Sequence, residues 1–115
     1  MSGAIVLPSE IGPGREREVQ TLFADPWRKL VLIRLRNAAL LADHSAGVPI
    51  TIHAVLGKGI LDVAGETYAL TPGTVVPVDA QVVHHVRADP LLAILVTFFR
   101  QPGPGVGGET AARFE

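Results

Sequence analysis

Glycine and proline interrupt this chain so often that long helices have little room to form. The 115 residues include 12 glycines and 9 prolines, and most segments between them are too short to hold three helical turns. The segments are rich in Val, Ile, Leu, Thr and Phe, which suit a pleated, half-buried surface. The pattern predicts one all-β domain, a sandwich or barrel of short strands. The predicted strands are Lys29–Leu35, Pro49–Leu56, Ile60–Gly65, Thr67–Leu70, Thr74–Val78, Val82–Ala88 and Leu91–Phe99.

The two ends of the chain and one internal segment differ from this pattern. Residues 1–17 are predicted to form an N-terminal arm in which Ala4–Leu7 adds a strand, and residues 18–100 are predicted to form the barrel. Arg36–His44 contains good helix formers but is short and lacks a clear cap, so we interpret it as a strand and its connection. The Pro/Gly-rich residues 101–115 are expected to form a tail.

Composition narrows the classes of function. Ten basic and eleven acidic residues give a net charge of −1, which offers no reason to expect a nucleic acid or an anionic membrane as partner. Cysteine is absent, so any metal would need histidine or carboxylate ligands. The N-terminal residues lack the pattern of a signal peptide, and the longest apolar run, Leu91–Phe99, is too short to cross a membrane. A soluble cytoplasmic protein is expected.

Apolar residues are abundant enough to predict self-association. They make up 48% of the chain, more than the interior of one small barrel can hide. Thr51, Val55 and Val83 fall on strand faces that we interpret as outer faces. Packing two such faces about a twofold axis is the usual way to cover them. We therefore expect a homodimer, in which Ala4–Leu7 could add to the partner's sheet.

Two adjacent histidines occur in the predicted strand Val82–Ala88. Neighbouring side chains on a strand point to opposite faces, so only one of these rings can face the core. His84 shares a face with Val82 and Val86, whereas His85 shares a face with Arg87. An arginine buried without a carboxylate partner would be costly. The pattern therefore predicts that His84 points inward and His85 outward.

His53 is a further candidate whose orientation depends on strand register. Its strand carries Ile50, Ile52, Ala54 and Leu56 on one face, with His53 on the other. The more apolar set is the natural interior, which predicts that His53 points outward. A bulge or a shift of one residue would turn it inward.

The stretch "DHSAGVPITIHAVLGKGILDVAGETYALTPGTVVPVDAQVVHHVRA" resembles the cupin superfamily, a group of small jelly-roll barrels. In this family a first motif has His-x-His, a short gap, a glutamate and a Gly-rich hairpin. A second motif has a glycine and, eleven residues later, a histidine. Gly57, Gly59 and Gly65 match the hairpin, and Gly73 lies eleven residues before His84. The resemblance implies a cupin-type double-stranded β-helix, or jelly-roll barrel, as a single domain.

The metal ligands of the family are only partly present. Cupins usually hold a metal with three histidines and the glutamate, and two of these four positions match here, at His44 and His84. Ala42 stands at the first histidine position, and Ile50 or Thr51 stands at the glutamate position. The resemblance implies that His44 projects into the barrel mouth near His84.

Two functions remain open at this stage. The first is a binding module that holds a small molecule in the barrel, with His44 and His84 lining the pocket, with or without a divalent metal. The alternative is a metal-dependent isomerase or dioxygenase in which His44, His84 and His53 are ligands to Zn, Fe, Ni or Mn. Arg34 and Arg36 could pair with carboxylates or bind an anion, but we interpret them as part of a solvated outer face.

Overall fold

Seven antiparallel β-strands make up the regular structure of the computed structural model, which describes residues 3–101. The strands are β1 (Arg17–Ala24), β2 (Arg28–Leu35), β3 (Leu40–His44), β4 (Ile50–Val63), β5 (Glu66–Leu70), β6 (Val75–Val78) and β7 (His84–Phe99). The described part of the chain contains no helix long and apolar enough to cross a membrane.

Strands β4 and β7 are long enough to run through both layers of the fold. The first half of β4 pairs with β6 and with the second half of β7, which also pairs with β2 and through it with β1. The second half of β4 pairs with β5 and with the first half of β7, which also pairs with β3. The core cluster joins both halves, with Ile52 and Ile94 from one and Leu61 and Val86 from the other. The two halves are therefore two layers around one core, and the predicted all-β jelly roll is confirmed.

Each long strand combines two of the predicted strands. The segment Gly57–Gly59, which separates two of the predicted strands, is a bulge at which the β4–β7 register shifts. Gly57 has φ of +78°, and a side chain there would collide with the carbonyl group of Leu91. Only glycine combines this conformation with such close approach of two backbones. The bulge lets β4 pass from one layer to the other as one continuous strand.

Strand β1 is absent from the predicted set. Its residues REVQTLFA mix charged and apolar side chains, and most of them are exposed. It lies at the end of the strand order and pairs with β2 alone. Because a strand of this kind is stabilised mainly by its ladder to one neighbour, its sequence carries a weak hydrophobic pattern.

The N-terminal arm is held by a buried arginine. Arg36, expected on a solvated face, is only 7% exposed, whereas Arg34 remains partly exposed and bonds to Gln20. β2 ends at Leu35, so strand parity no longer fixes the direction of the next side chain. The expectation for Arg36 was wrong for this reason.

The guanidinium group of Arg36 donates hydrogen bonds to three main-chain carbonyl oxygens of the arm. Nε reaches Gly12 at 2.8 Å, Nη1 reaches Arg15 at 2.7 Å and Nη2 reaches Ile11 at 3.1 Å. Nη1 also donates to the Glu18 carboxylate at 2.6 Å, and this bond holds the pKa of Glu18 below its usual value. A side chain, and not a strand ladder, therefore fixes this part of the arm.

The predicted extensions have different outcomes. Ala4–Leu7 forms no strand in the described residues, in contrast to the expectation from its apolar sequence. Contacts of that segment with a second copy stay a prediction. Of the predicted tail, residues 102–115 lie outside the described residues.

Candidate functional site

A cavity of about 290 Å³ opens between the two layers. Its walls are mostly apolar, and the polar side chains among its described lining residues are His44, Ser45 and His84. The apolar lining residues are Val19, Val31, Ile33, Leu41, Ala46, Ile50, Ile52, Val86, Ile94, Val96 and Phe98. Such a space, apolar with a few convergent polar groups, is typical of a small-molecule pocket, at the lower end of the usual size range.

His44 and His84 meet across the β3–β7 pair. The two residues are register partners, their ring centroids are 6.3 Å apart, and the rings are inclined by 28°. His84 is 8% exposed, whereas His44 is exposed at the end of β3. The structure therefore places one imidazole in the cavity wall and one at its rim.

Burial and a backbone contact define the chemistry of His84. Its Nδ1 lies 3.2 Å from the carbonyl oxygen of Val82. Burial lowers the pKa of His84 below its usual value, and the nearby His44 ring adds to this shift. The Val82 carbonyl and the Asp43 carboxylate act in the opposite direction but do not cancel it. His84 is therefore predominantly neutral at pH 7.

His85 and Asp43 form a separate pair outside the cavity. Nδ1 of His85 lies 3.1 Å from Oδ1 of Asp43, and both side chains are largely exposed. Neither lines the cavity. This orientation follows from the alternation along β7, where Val86 is 1% exposed and Arg87 is exposed.

His53 does not join the other two histidines. Its neighbours Ile52 and Ala54 are core residues, so strand alternation directs His53 to the opposite face of β4. It pairs there with Val75, which is 52% exposed. The register shift in β4 begins only after Ala54 and leaves this parity intact.

The donor groups at the cavity do not fit a catalytic metal centre. Such a centre normally has three protein ligands and an open position, and cupins usually add a glutamate. Here the cavity offers two imidazoles, and its described lining contains no carboxylate. Among residues 3–101, no three His, Asp or Glu side chains are grouped to hold a metal ion. The ligand set of His44, His84 and His53 is not assembled, because His53 lies on the other face.

Sequence reasoning missed two features of the pocket. Val19 lies on β1, which the strand pattern did not predict, and its side chain lines the cavity while remaining 64% exposed. It therefore stands at the rim. Ser45 follows β3 directly and lies beside His44. No sequence signal marks Val19, whereas Ser45 could have been inferred from its neighbour.

Solved structures similar to this one share its fold. A conserved protein of unknown function from Streptococcus pyogenes has a TM-score of 0.74 at 16% identity, over 90% of this chain and 93% of that one. An RmlC-like cupin from Shewanella frigidimarina has a TM-score of 0.70 at 22% identity, over 75% and 78% of the two chains. Salicylate 1,2-dioxygenase from Pseudoaminobacter salicylatoxidans, with gentisate, has a TM-score of 0.69 at 17% identity, over 80% of this chain and 26% of that one.

No family model matches the sequence. No curated protein matches it either. The structural likeness alone therefore supports the resemblance stated from the motifs, and at these identities it establishes a fold and no activity.

Proposed function

The chain has the cupin fold, and we propose that it binds a small, largely apolar molecule in the cavity between its layers. His84 in the wall and His44 at the rim supply the polar contacts. The observation that carries this proposal is the cavity itself: about 290 Å³ remain open within an apolar core, and two imidazoles meet at one side. The walls are made by residues of both layers, so the space belongs to the architecture of the fold.

The alternative of a metal-dependent isomerase or dioxygenase finds less support. Both need a metal or a strong general base at the reacting atoms. Two imidazoles with no carboxylate among the described lining residues are a poor donor set for a metal. His84, whose pKa is lowered by burial, is a weak general base. The binding role needs neither.

Toluene is a suitable first probe because it has no polar group and tests the apolar walls alone. Burial of its seven carbon atoms at ~0.8 kcal/mol each would supply about −5 to −6 kcal/mol, or a Kd of roughly 0.1 mM. We expect toluene to shift the methyl NMR resonances of Ile52, Ile94 and Val86 in the full chain.

A substitution at the rim tests the location of binding. Val19→Trp should obstruct the cavity mouth and weaken toluene binding at least tenfold. Val75→Trp is the matched control, because Val75 is a similarly exposed strand valine that does not line the cavity. It should bind toluene as the unmodified chain does. Equal binding by the two variants, or no shifts in a buffer saturated with toluene, would contradict the proposal.

A further inference from the structure

The hydrogen bonding of His84 limits which polar group a ligand can present. A carbonyl oxygen can only accept a hydrogen bond, so the contact of Nδ1 with Val82 requires the proton to be on Nδ1. A neutral imidazole has one proton, and Nε2 then carries the only free lone pair. The nitrogen left for a ligand is therefore an acceptor.

The surroundings of His84 also limit the charge that a ligand can carry. The described lining of the cavity contains no Lys or Arg, so a carboxylate beside the neutral His84 ring would lose its hydration without gaining a hydrogen-bond donor or a counter-ion. Asp43 is engaged by His85 outside the cavity. His44 is exposed at the rim, where water competes for any contact with it.

We infer that the cavity selects neutral molecules with an apolar body and one hydrogen-bond donor, such as phenols and small alcohols, and rejects carboxylates of the same shape. This inference rests on the proposed function and assigns the ligand class of the same site. The hydroxyl group donates to Nε2 of His84, and the apolar body fills the space among the valine and isoleucine side chains.

Three para-substituted toluenes test the inference on the full chain: p-cresol and 4-fluorotoluene, which are nearly equal in shape, and 4-methylbenzoate, which carries a larger, anionic group on the same apolar body. One net hydrogen bond should make p-cresol bind about fivefold more tightly than 4-fluorotoluene, which has no donor. The anion 4-methylbenzoate should bind at least tenfold more weakly than p-cresol at pH 7.5. Equal or tighter binding of the carboxylate would overturn the inference.

Two variants assign the preference to one ring. His84→Phe should abolish the advantage of p-cresol over 4-fluorotoluene, whatever the new ring does to the affinity of the two probes together. His85→Phe, the neighbouring histidine on the outer face, should keep the full preference. An advantage that survives His84→Phe would refute the role of this ring.

A measurement on the unmodified chain does not depend on how these variants fold. Long-range ¹H–¹⁵N correlation spectra report which imidazole nitrogen carries the proton. We expect His84 to be protonated on Nδ1, with the Nε2 resonance shifting when p-cresol is added. A ring protonated on Nε2 would overturn the inference even if toluene binds, whereas failure of all four probes would refute the proposed function itself.

Discussion

Replacement of Arg36 by methionine should destabilise the fold through loss of the N-terminal arm. The methionine side chain keeps an apolar stem but removes the group that bonds to the carbonyl oxygens of Ile11, Gly12 and Arg15, and to the Glu18 carboxylate. Bonds from a charged donor contribute more than neutral ones, but a released arm regains water, so about 1 kcal/mol per carbonyl is a reasonable net value. The three bonds together give about 3 kcal/mol, or a fall in Tm of about 12 °C for a domain of this size.

Thermal and urea unfolding measure this cost, and a shortened chain identifies its source. In a chain that lacks residues 1–15, the three carbonyl groups are gone and the Glu18 pair is open to water, so the same substitution should cost less than about 1 kcal/mol. Arg34→Met is the matched control, since Arg34 has one exposed hydrogen bond to Gln20, and it should stay within about 0.5 kcal/mol. An equal cost of Arg36→Met in the full and shortened chains would refute the reasoning.

Three further predictions concern pH, the bulge and self-association. The free energy of unfolding should fall as the pH drops from 7 to 5, because the unfolded His84, with an ordinary pKa near 6.5, takes up a proton before the folded one does. Urea titrations of His84→Phe should lack this slope, and those of His85→Phe should retain it. Gly57→Ala should lower the free energy of unfolding more than Gly65→Ala does. Both residues have a positive φ, and at Gly65 the backbone strain alone is expected to cost about 1–2 kcal/mol. A side chain at Gly57 would in addition collide with the carbonyl group of Leu91, whereas a side chain at Gly65 would meet open space. The homodimer expected from the apolar composition stays a prediction, and a monomer in light scattering at micromolar concentration would contradict it.

Strand parity predicted the direction of the histidines because a period of two leaves few choices. One feature on each strand was enough to tell its inner face from its outer face. Arg87 identified the outer face for His84, and the apolar series around Ile52 identified the inner face for His53. Parity fails where a strand ends, which is why Arg36 was placed on the wrong face. It cannot follow backbone geometry either, since a Gly-Lys-Gly segment has the composition of a turn whether the chain reverses there or bulges.

The cavity itself was harder to predict than the residues at its edge. Its position depends on which side chains of separate strands fail to meet, and no local pattern records a gap between layers. The resemblance to the cupin motifs predicted that His44 lies near His84, because it implied a fold in which these positions are neighbours. Val19 could not be anticipated in the same way, because its strand is recognisable only by its pairing with β2.

The continuous course of β4 and β7 through both layers has a consequence for how a guest enters. Because β4 and β7 each belong to both layers, the two layers cannot separate as rigid bodies without breaking these strands. The exposed lining residues Val19 and His44, on the border strands β1 and β3, mark the side on which the cavity opens to solvent. Substitutions at Val19 and His44 should therefore change how readily a ligand enters the cavity without altering the pairing of β4 with β7.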